Sequence, residues 1–363
     1  MAAPKAFDGL SKDLSDSDRL ELCKMYGTDV VTFIWYRTVQ VIWIFIAGIA
    51  IFNVSRVYFR YIKSSKLHTN IQILLTLFMF SAVLINTTFI VAQAYQFTLS
   101  FVFGEPCDVF LPRTFYIIFN ICYGFFTELY LLSKATMIIE RSLATIYSSC
   151  YEHMKSLPGF LGAIISILMA TGVEVYIYYG ATFDQQHITI TSTSAEVSGR
   201  INNVLIFNVS CCAVTMIIMT ILLLVNMKRK KNAIGCVSYR FQVEENIATT
   251  NFIAKIAFVQ LIAFSIQSLG GLLVRLYSKY LFDADDIPAM KSLKLSLHVM
   301  PLFTIIMSIV IELSIRRTAR YRHTRLLNMV NIKDGAKLNS DFLAIQWNQS
   351  DPKWPRFERN SIC

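Results

Sequence analysis

Seven long apolar runs separated by charged connections predict an all-α membrane protein: a seven-transmembrane helix bundle with its N-terminus outside and its C-terminus inside. Three observations carry this. Of the 363 residues, 55% are hydrophobic and only 16% charged, where soluble domains run at about 45–50% apolar and about 25% charged. A helix rises about 1.5 Å per residue and the bilayer hydrocarbon is about 30 Å thick, so each run is long enough to cross. Finally, Lys and Arg collect in alternate connections. With 13% aromatics, 14 Gly and 8 Pro, the composition favours long helices over a barrel.

Residues 1–30 are polar and partly acidic (Asp8, Asp13, Asp16, Asp18, Glu21), contain Cys23 and have no signal-peptide core, so insertion is expected to be directed by the first span. That span covers 33–59, with Arg37 placed to snorkel at its start. The second, 71–95, carries Asn86 and Gln93, and Glu105 and Cys107 lie in the connection after it. The third, 110–139, ends in Glu140-Arg141 and holds Asn120, Thr127, Glu128 and Lys134, groups that lipid penalises and that therefore face the bundle interior. At 100° per residue Asn120, Thr127, Lys134 and Arg141 share one face at heptad spacing, with Glu128 beside it. This span is read as the central member.

The fourth span, 157–179, opens with Pro158 in its first turn and holds Glu174 near its far end. The alternation Ile188-Thr189-Ile190-Thr191 suggests a short strand or hairpin over the bundle mouth. The fifth span, 201–225, contains Asn208 and Cys211-Cys212 and is closed by Lys228-Arg229-Lys230-Lys231. The sixth, 247–276, carries Lys255, Gln260, Gln267 and Gly270-Gly271, and the seventh, 293–315, carries His298 and Pro301. The remaining 316–363 is a polar tail. Its segment 316–329 mixes basic residues with Leu326, Leu327 and Met329, as a helix on the inner leaflet or a solvated stop signal does. No internal repeat or second folded domain is visible.

The net charge of +10 would point to nucleic acid in a soluble protein, but its distribution gives topology instead. Basic clusters follow spans one, five and seven (Arg56/Arg60/Lys63/Lys66, Lys228 to Lys231 with Arg240, Arg316/Arg317/Arg320/Arg322/Arg325), and acidic residues follow spans two and six (Glu105, Asp108, Asp283, Asp285, Asp286). By the positive-inside rule, 1–30 is extracellular and 316–363 cytoplasmic. The expected partners are membrane lipids rather than nucleic acid.

No metal-ligand spacing, phosphate loop, hydrolase or kinase signature occurs, so no cofactor and no enzymatic activity is expected. Only Cys23 and Cys107 fall in segments placed outside, which makes them the preferred disulfide pair. Cys150 and Cys236 face the cytosol, and Cys363 lacks a prenylation box. The sequons at Asn53, Asn86, Asn208 and Asn348 lie in spans or in the inner tail, where glycosylation is not expected. Two readings stand for the buried carboxylates. Glu128 either meets a polar ligand group or is satisfied inside the bundle; Glu174 either joins it or sits at the interface.

Two motifs carry a resemblance. One is Met137-Ile138-Ile139-Glu140-Arg141-Ser142-Leu143-Ala144-Thr145 leading to Tyr151-Glu152. The other is Val237-Ser238-Tyr239-Arg240-Phe241-Gln242-Val243-Glu244-Glu245-Asn246 before the sixth span, which looks like a Ser-x-Arg-Tyr-Gln-x-x-Glu-Asn pattern with Phe241 in place of Tyr. With Cys23 and Cys107, these make the chain resemble, over almost its full length, nematode chemosensory serpentine receptors of the Sra superfamily, in the class alpha or alpha/beta ("ab") branch ahead of beta and epsilon. It departs from rhodopsin-like receptors: 180–200 has no cysteine, the sixth span has no Cys-Trp-x-Pro, and the seventh has Met300-Pro301-Leu302-Phe303 in place of Asn-Pro-x-x-Tyr.

The resemblance implies a G-protein-coupled chemoreceptor of the plasma membrane, in sensory neuron cilia, responding to a small environmental or pheromone-like molecule. Asn120, Thr127, Glu128, Asn208 and Gln267 are the expected ligand contacts. Glu140, Arg141, Tyr239, Arg240 and Phe241 are the expected contacts to the heterotrimeric G protein. The alternative is a ligand-gated channel or transporter of seven-helix type. Insect-type odorant receptors of that kind place the N-terminus inside, opposite to the charge asymmetry here, and a transporter is expected to show repeats. A structural membrane protein without a ligand fits the composition but leaves both motifs unexplained.

Overall fold

A computed structural model describes residues 16–63, 67–147, 156–183, 187–192, 194–232, 237–281 and 286–331. Cys150, Tyr151-Glu152, Cys236, Asp283, Asp285, Asn348 and Cys363 lie outside them, as do the side chains of Tyr239, Arg240 and Phe241. By packing the chain divides into Met1–Ile311 and Glu312–Cys363.

Among the described residues seven helices are long and apolar enough to cross a membrane. They are α1 (Ile34–Val57), α2 (Thr69–Val102), α3 (Arg113–Ile146), α4 (Leu157–Tyr178), α5 (Ala195–Asn232), α6 (Val237–Leu281) and α7 (Met300–Asn331). Short pieces join them: Asp16–Cys23 and a π-helical turn Lys24–Thr28 before α1, a second π-helical turn Tyr58–Ile62 after it, a 3₁₀ turn Pro106–Val109 before α3, and Ile287–Ser296 before α7.

Several helices run well past the hydrocarbon. At 34 residues, α2 is about 51 Å long. Hydropathy marks where lipid ends, whereas a helix ends only where its backbone hydrogen bonds are capped or broken. The Lys228 to Lys231 cluster is therefore still helical in α5, and the 239–246 motif forms the start of α6. Pro301 does interrupt: Ile287–Ser296 stops, and α7 starts at Met300 with the proline in its first turn, where its missing N–H costs nothing. Gly270-Gly271 leaves α6 unbroken, and Gly270 packs so closely that a Cβ there would lie 3.2 Å from Leu297 Cδ2. Close packing, rather than a bend, accounts for Gly270.

The surface is inside-out relative to a soluble protein. On α1, Ile42, Phe45, Ile49 and Phe52 are exposed at helical spacing while Gln40, Trp43, Ala47, Ala50 and Val54 are buried. On α4, Leu157, Phe160, Leu161, Ile164, Ile165, Leu168 and Met169 are all exposed. Water would not tolerate such a belt; hydrocarbon does. Buried polar residues pin the interior. Gln40 Nε2 donates to Gln93 Oε1 (3.0 Å), Asn86 Nδ2 donates to Thr304 Oγ1 (3.3 Å), and Asn70 Oδ1 accepts from the Gly159 N–H (3.1 Å).

At the end of the bundle carrying Cys107, the segment before α1 folds against the turn before α3. Cys23 and Cys107 are joined in a disulfide with a Cα–Cα separation of 5.0 Å. Gly27 lies so close that a Cβ would fall 2.7 Å from Val109 Cγ2. Val30, Val31, Tyr36, Phe89, Val109, Phe110 and Ile188 form one apolar cluster there. Arg37, expected to reach for the interface, instead bonds the carbonyls of Val31 (2.8 Å) and Ser100 (2.8 Å), with its guanidinium 4.3 Å from the Phe101 ring centroid. It ties α1 to the end of α2.

The disulfide spans 84 residues, so its loss releases a long loop in the unfolded chain, typically about 2–4 kcal/mol. Cys23→Ser, Cys107→Ser and the double variant should lower the apparent Tm in detergent equally, and a reducing agent should leave the variants unmoved. An additive double variant would show that the two cysteines stabilise separately.

Candidate functional site

The segment expected as a strand or hairpin is neither: His187–Ser192 runs as bends and turns. A strand needs a partner ladder, and here the carbonyls are taken by α3 and the residues leading into it. Leu111 N–H donates to His187 O (2.9 Å), Tyr116 OH to Ser192 O (2.7 Å) and Asn120 Nδ2 to Ile190 O. Gln93 Nε2 on α2 donates to Thr189 Oγ1 (3.1 Å). Ile188 and Ile190 are buried, and the His187 ring stacks on Tyr116 at 4.0 Å. The Ile-Thr alternation thus reflects a lid with two apolar anchors inserted into the mouth.

Below the lid, polar groups continue along α3. Tyr178 OH on α4 donates to Asn120 Oδ1. One turn further, Gly124 faces Glu174 of α4, and a Cβ there would lie 2.6 Å from Glu174 Oε1. Glu128 Oε1 accepts from Asn208 Nδ2 of α5 (2.7 Å). Lys134 Nζ donates to Cys212 Sγ of α5 (3.2 Å), and Thr136 meets Ser166 of α4 (3.1 Å). On the neighbouring flank Tyr123 OH lies 2.8 Å from His298 Nε2, and His298 stacks on Phe89 at 4.5 Å.

The seam ends in a lock. Arg141 donates through Nε and Nη2 to both oxygens of Glu140 (2.5 Å each), and both residues are buried. Arg141 Nη1 donates to Asn246 Oδ1 of α6 (3.4 Å), whose Nδ2 donates to Ala144 O (3.2 Å). Asn226 Nδ2 of α5 donates to Thr145 Oγ1 (3.0 Å), and Arg229 bonds Thr145 O. This end of α3 is clasped by α5 and α6 at once.

The structure therefore brings Glu128 and Asn208 into direct contact and sets Asn120 on the same stripe of α3. Thr127 donates its hydroxyl to Tyr123 O (2.8 Å), the usual alternative for a helical threonine. Gln267 Oε1 is buried without a hydrogen-bond partner, as are both amide atoms of Gln260. Sequence reasoning missed Tyr123, Gly124 and Tyr178. The i, i+4, i+8 spacing of Asn120, Gly124 and Glu128 was available as a signal; Tyr178 and His298 are found only through the packing.

A seven-helix integral membrane protein with a lidded mouth and a polar interior is what these elements define. The match to known proteins is then specific: the chain belongs to the family described as serpentine type 7TM GPCR receptor class ab chemoreceptor, whose model matches residues 21–345. It is similar to Serpentine receptor class beta-16 of Caenorhabditis elegans, 26% identical over 341 residues, covering 92% of this chain and 98% of that one. Serpentine receptor class beta-17 of the same organism is 23% identical over 304 residues, 82% of each chain. Serpentine receptor class alpha-12 is 29% identical over 145 residues, 40% of this chain and 44% of its own. This is a multi-pass membrane protein of a non-enzymatic receptor family. The family model carries the ab name, while these two long matches carry class beta names, a branch the motifs alone ranked behind.

His187 gives the lid a pH dependence. Burial, with a smaller contribution from nearby Lys291, lowers its pKa from 6.5 to about 4. The folded lid thus holds His187 neutral while the unfolded chain protonates it, so stability is fully present above about pH 6.5 and is lost as pH falls towards 4. At pH 5 the loss is about 2 kcal/mol. His187→Phe keeps a ring against Tyr116, so its Tm should fall less than wild type between pH 7 and pH 5; parallel curves would show that the ring is not held neutral.

Proposed function

We propose that this chain is a chemoreceptor of the plasma membrane, in sensory cilia, with its N-terminal segment outside. It takes a small molecule beneath the lid, against the Asn120–Glu128–Asn208 stripe and Gln267, and passes the change to a heterotrimeric G protein at the Arg141 end. The observation that carries this reading is the clasp of α3 by Asn246 of α6. It is a contact between two spans at the basic end of the bundle, inside the two motifs that mark the family.

In this reading the clasp holds the resting state. A ligand acts only by its differential affinity for two states, so it must favour one in which the cytoplasmic end of α6 leaves α3. Arg141 then loses Asn246 and becomes available to the partner together with Tyr239, Arg240 and Phe241. The 3.4 Å contact to Asn246 is the longest of these bonds and the one that has to break, whereas the two 2.5 Å bonds to Glu140 keep the guanidinium compensated throughout.

Two variants separate the roles. Asn246→Ala removes the clasp without removing the charge, so basal nucleotide exchange by co-expressed G protein should rise several-fold. Arg141→Ala should abolish exchange in either background, as should Ala at Tyr239, Arg240 and Phe241 together. Exchange that survives Arg141→Ala would put the coupling surface elsewhere.

A further inference from the structure

Glu174 is a carboxylate that the seam does not satisfy. It is 6% exposed, and neither Oε1 nor Oε2 has a hydrogen-bond partner. Its carboxylate is aimed across the α4–α3 interface at Gly124, which leaves just enough room: a Cβ would lie 2.6 Å from Oε1 and 3.0 Å from Oε2. Glu128 sits one turn along α3 from Gly124, and its charge bears on Glu174. Glu128 receives the neutral Asn208 amide (2.7 Å). The buried ammonium of Lys134 is directed to Cys212 Sγ (3.2 Å) rather than to either carboxylate. Two acids therefore lie within about one helical turn of Gly124, with no basic side chain bonded to either among the described residues.

An ionised carboxylate without a partner in such a place is strongly disfavoured, so it is met either by a proton or by another cation. The site is compact, because Glu174 already fills the space that Gly124 leaves, and it offers two carboxylate oxygens that accept no hydrogen bond. It lies one turn below Tyr178, whose hydroxyl bonds Asn120, which in turn bonds the lid carbonyl of Ile190. We propose that Glu174 and Glu128 form a binding site for a compact monovalent cation, closed by the lid. The cation is either a sodium ion from the medium or the primary ammonium group of a ligand. The ammonium source rests on the receptor reading above; the sodium source does not.

The full-length protein in lipid nanodiscs gives the test through its Tm. With sodium as the occupant, sodium chloride raises Tm by roughly 5 °C over choline chloride at equal ionic strength. With ammonium as the occupant, the two salts are indistinguishable, but benzylammonium chloride raises Tm where benzyl alcohol does not. In either case Glu174→Gln, which keeps the side-chain volume, abolishes the shift. Gly124→Ala, which pushes a methyl group into the carboxylate, does so too, while Cys122→Ser retains it. No cation effect in wild type, or one that survives Glu174→Gln, overturns the proposal. So does an infrared band of a protonated carboxylic acid that persists in sodium and with the amine and disappears in Glu174→Gln, since a proton is then the occupant. A sodium shift in a protein that never drives nucleotide exchange would keep this site and remove the receptor reading.

Discussion

A polar group in hydrocarbon has no water to fall back on, and α3 buries ionisable groups as well as amides and hydroxyls: Glu128, Lys134, Glu140 and Arg141. Each must find a protein partner, at a cost of several kcal/mol if it fails. This decides which helices stand next to α3 and at what height. Asn120 needs the lid carbonyl and the Tyr178 hydroxyl, Glu128 needs Asn208, Thr136 meets Ser166, and the Arg141 end needs Asn246, Asn226 and Arg229. The hydrophobic effect inserts the helices but does not tell them apart, because lipid tails are as apolar as leucine. The specific arrangement comes from the seam.

The mouth shows the same logic under different solvent. Its apolar cluster brings three connections distant in sequence, the segment before α1, the turn before α3 and the lid, onto residues of α1, α2 and the helix before α7. Two of these are covalently tied through Cys23 and Cys107. The third is held by hydrogen bonds from Gln93, Leu111, Tyr116 and Asn120. A covalent brace thus stands beside a lid held by individually weaker bonds.

Much of this was legible in the sequence, and the rest was hidden for definite reasons. The spans were visible because hydropathy reports burial in lipid directly. The polar face of α3 was visible because helical geometry projects residues onto faces regardless of partners. Asn120, Lys134 and Arg141 are buried on that face. Thr127 shares the face but spends its hydroxyl on its own helix, a choice that periodicity cannot register. The lid was misread because alternation of Ile and Thr describes which side chains are buried, not whether a neighbouring strand exists. Glu174 had two open readings because its setting depends on Gly124 across an interface, and no pattern within α4 announces which residue of α3 will face it.

Taken together, lid, seam and clasp run along α3, which reaches both ends of the bundle through directional bonds. In the proposed mechanism a change at the mouth is carried along it to the Asn246 contact. The most direct measurement is the distance between α3 and α6 at the clasped end, by electron–electron spin resonance between labels attached through Tyr147→Cys and Asn251→Cys, both exposed positions, in nanodiscs. The account predicts one short distance in the otherwise native protein and an added longer population when Asn246→Ala is introduced. An unchanged distribution in that variant would contradict it, because the helices would then be held together by something other than the Arg141–Asn246 clasp.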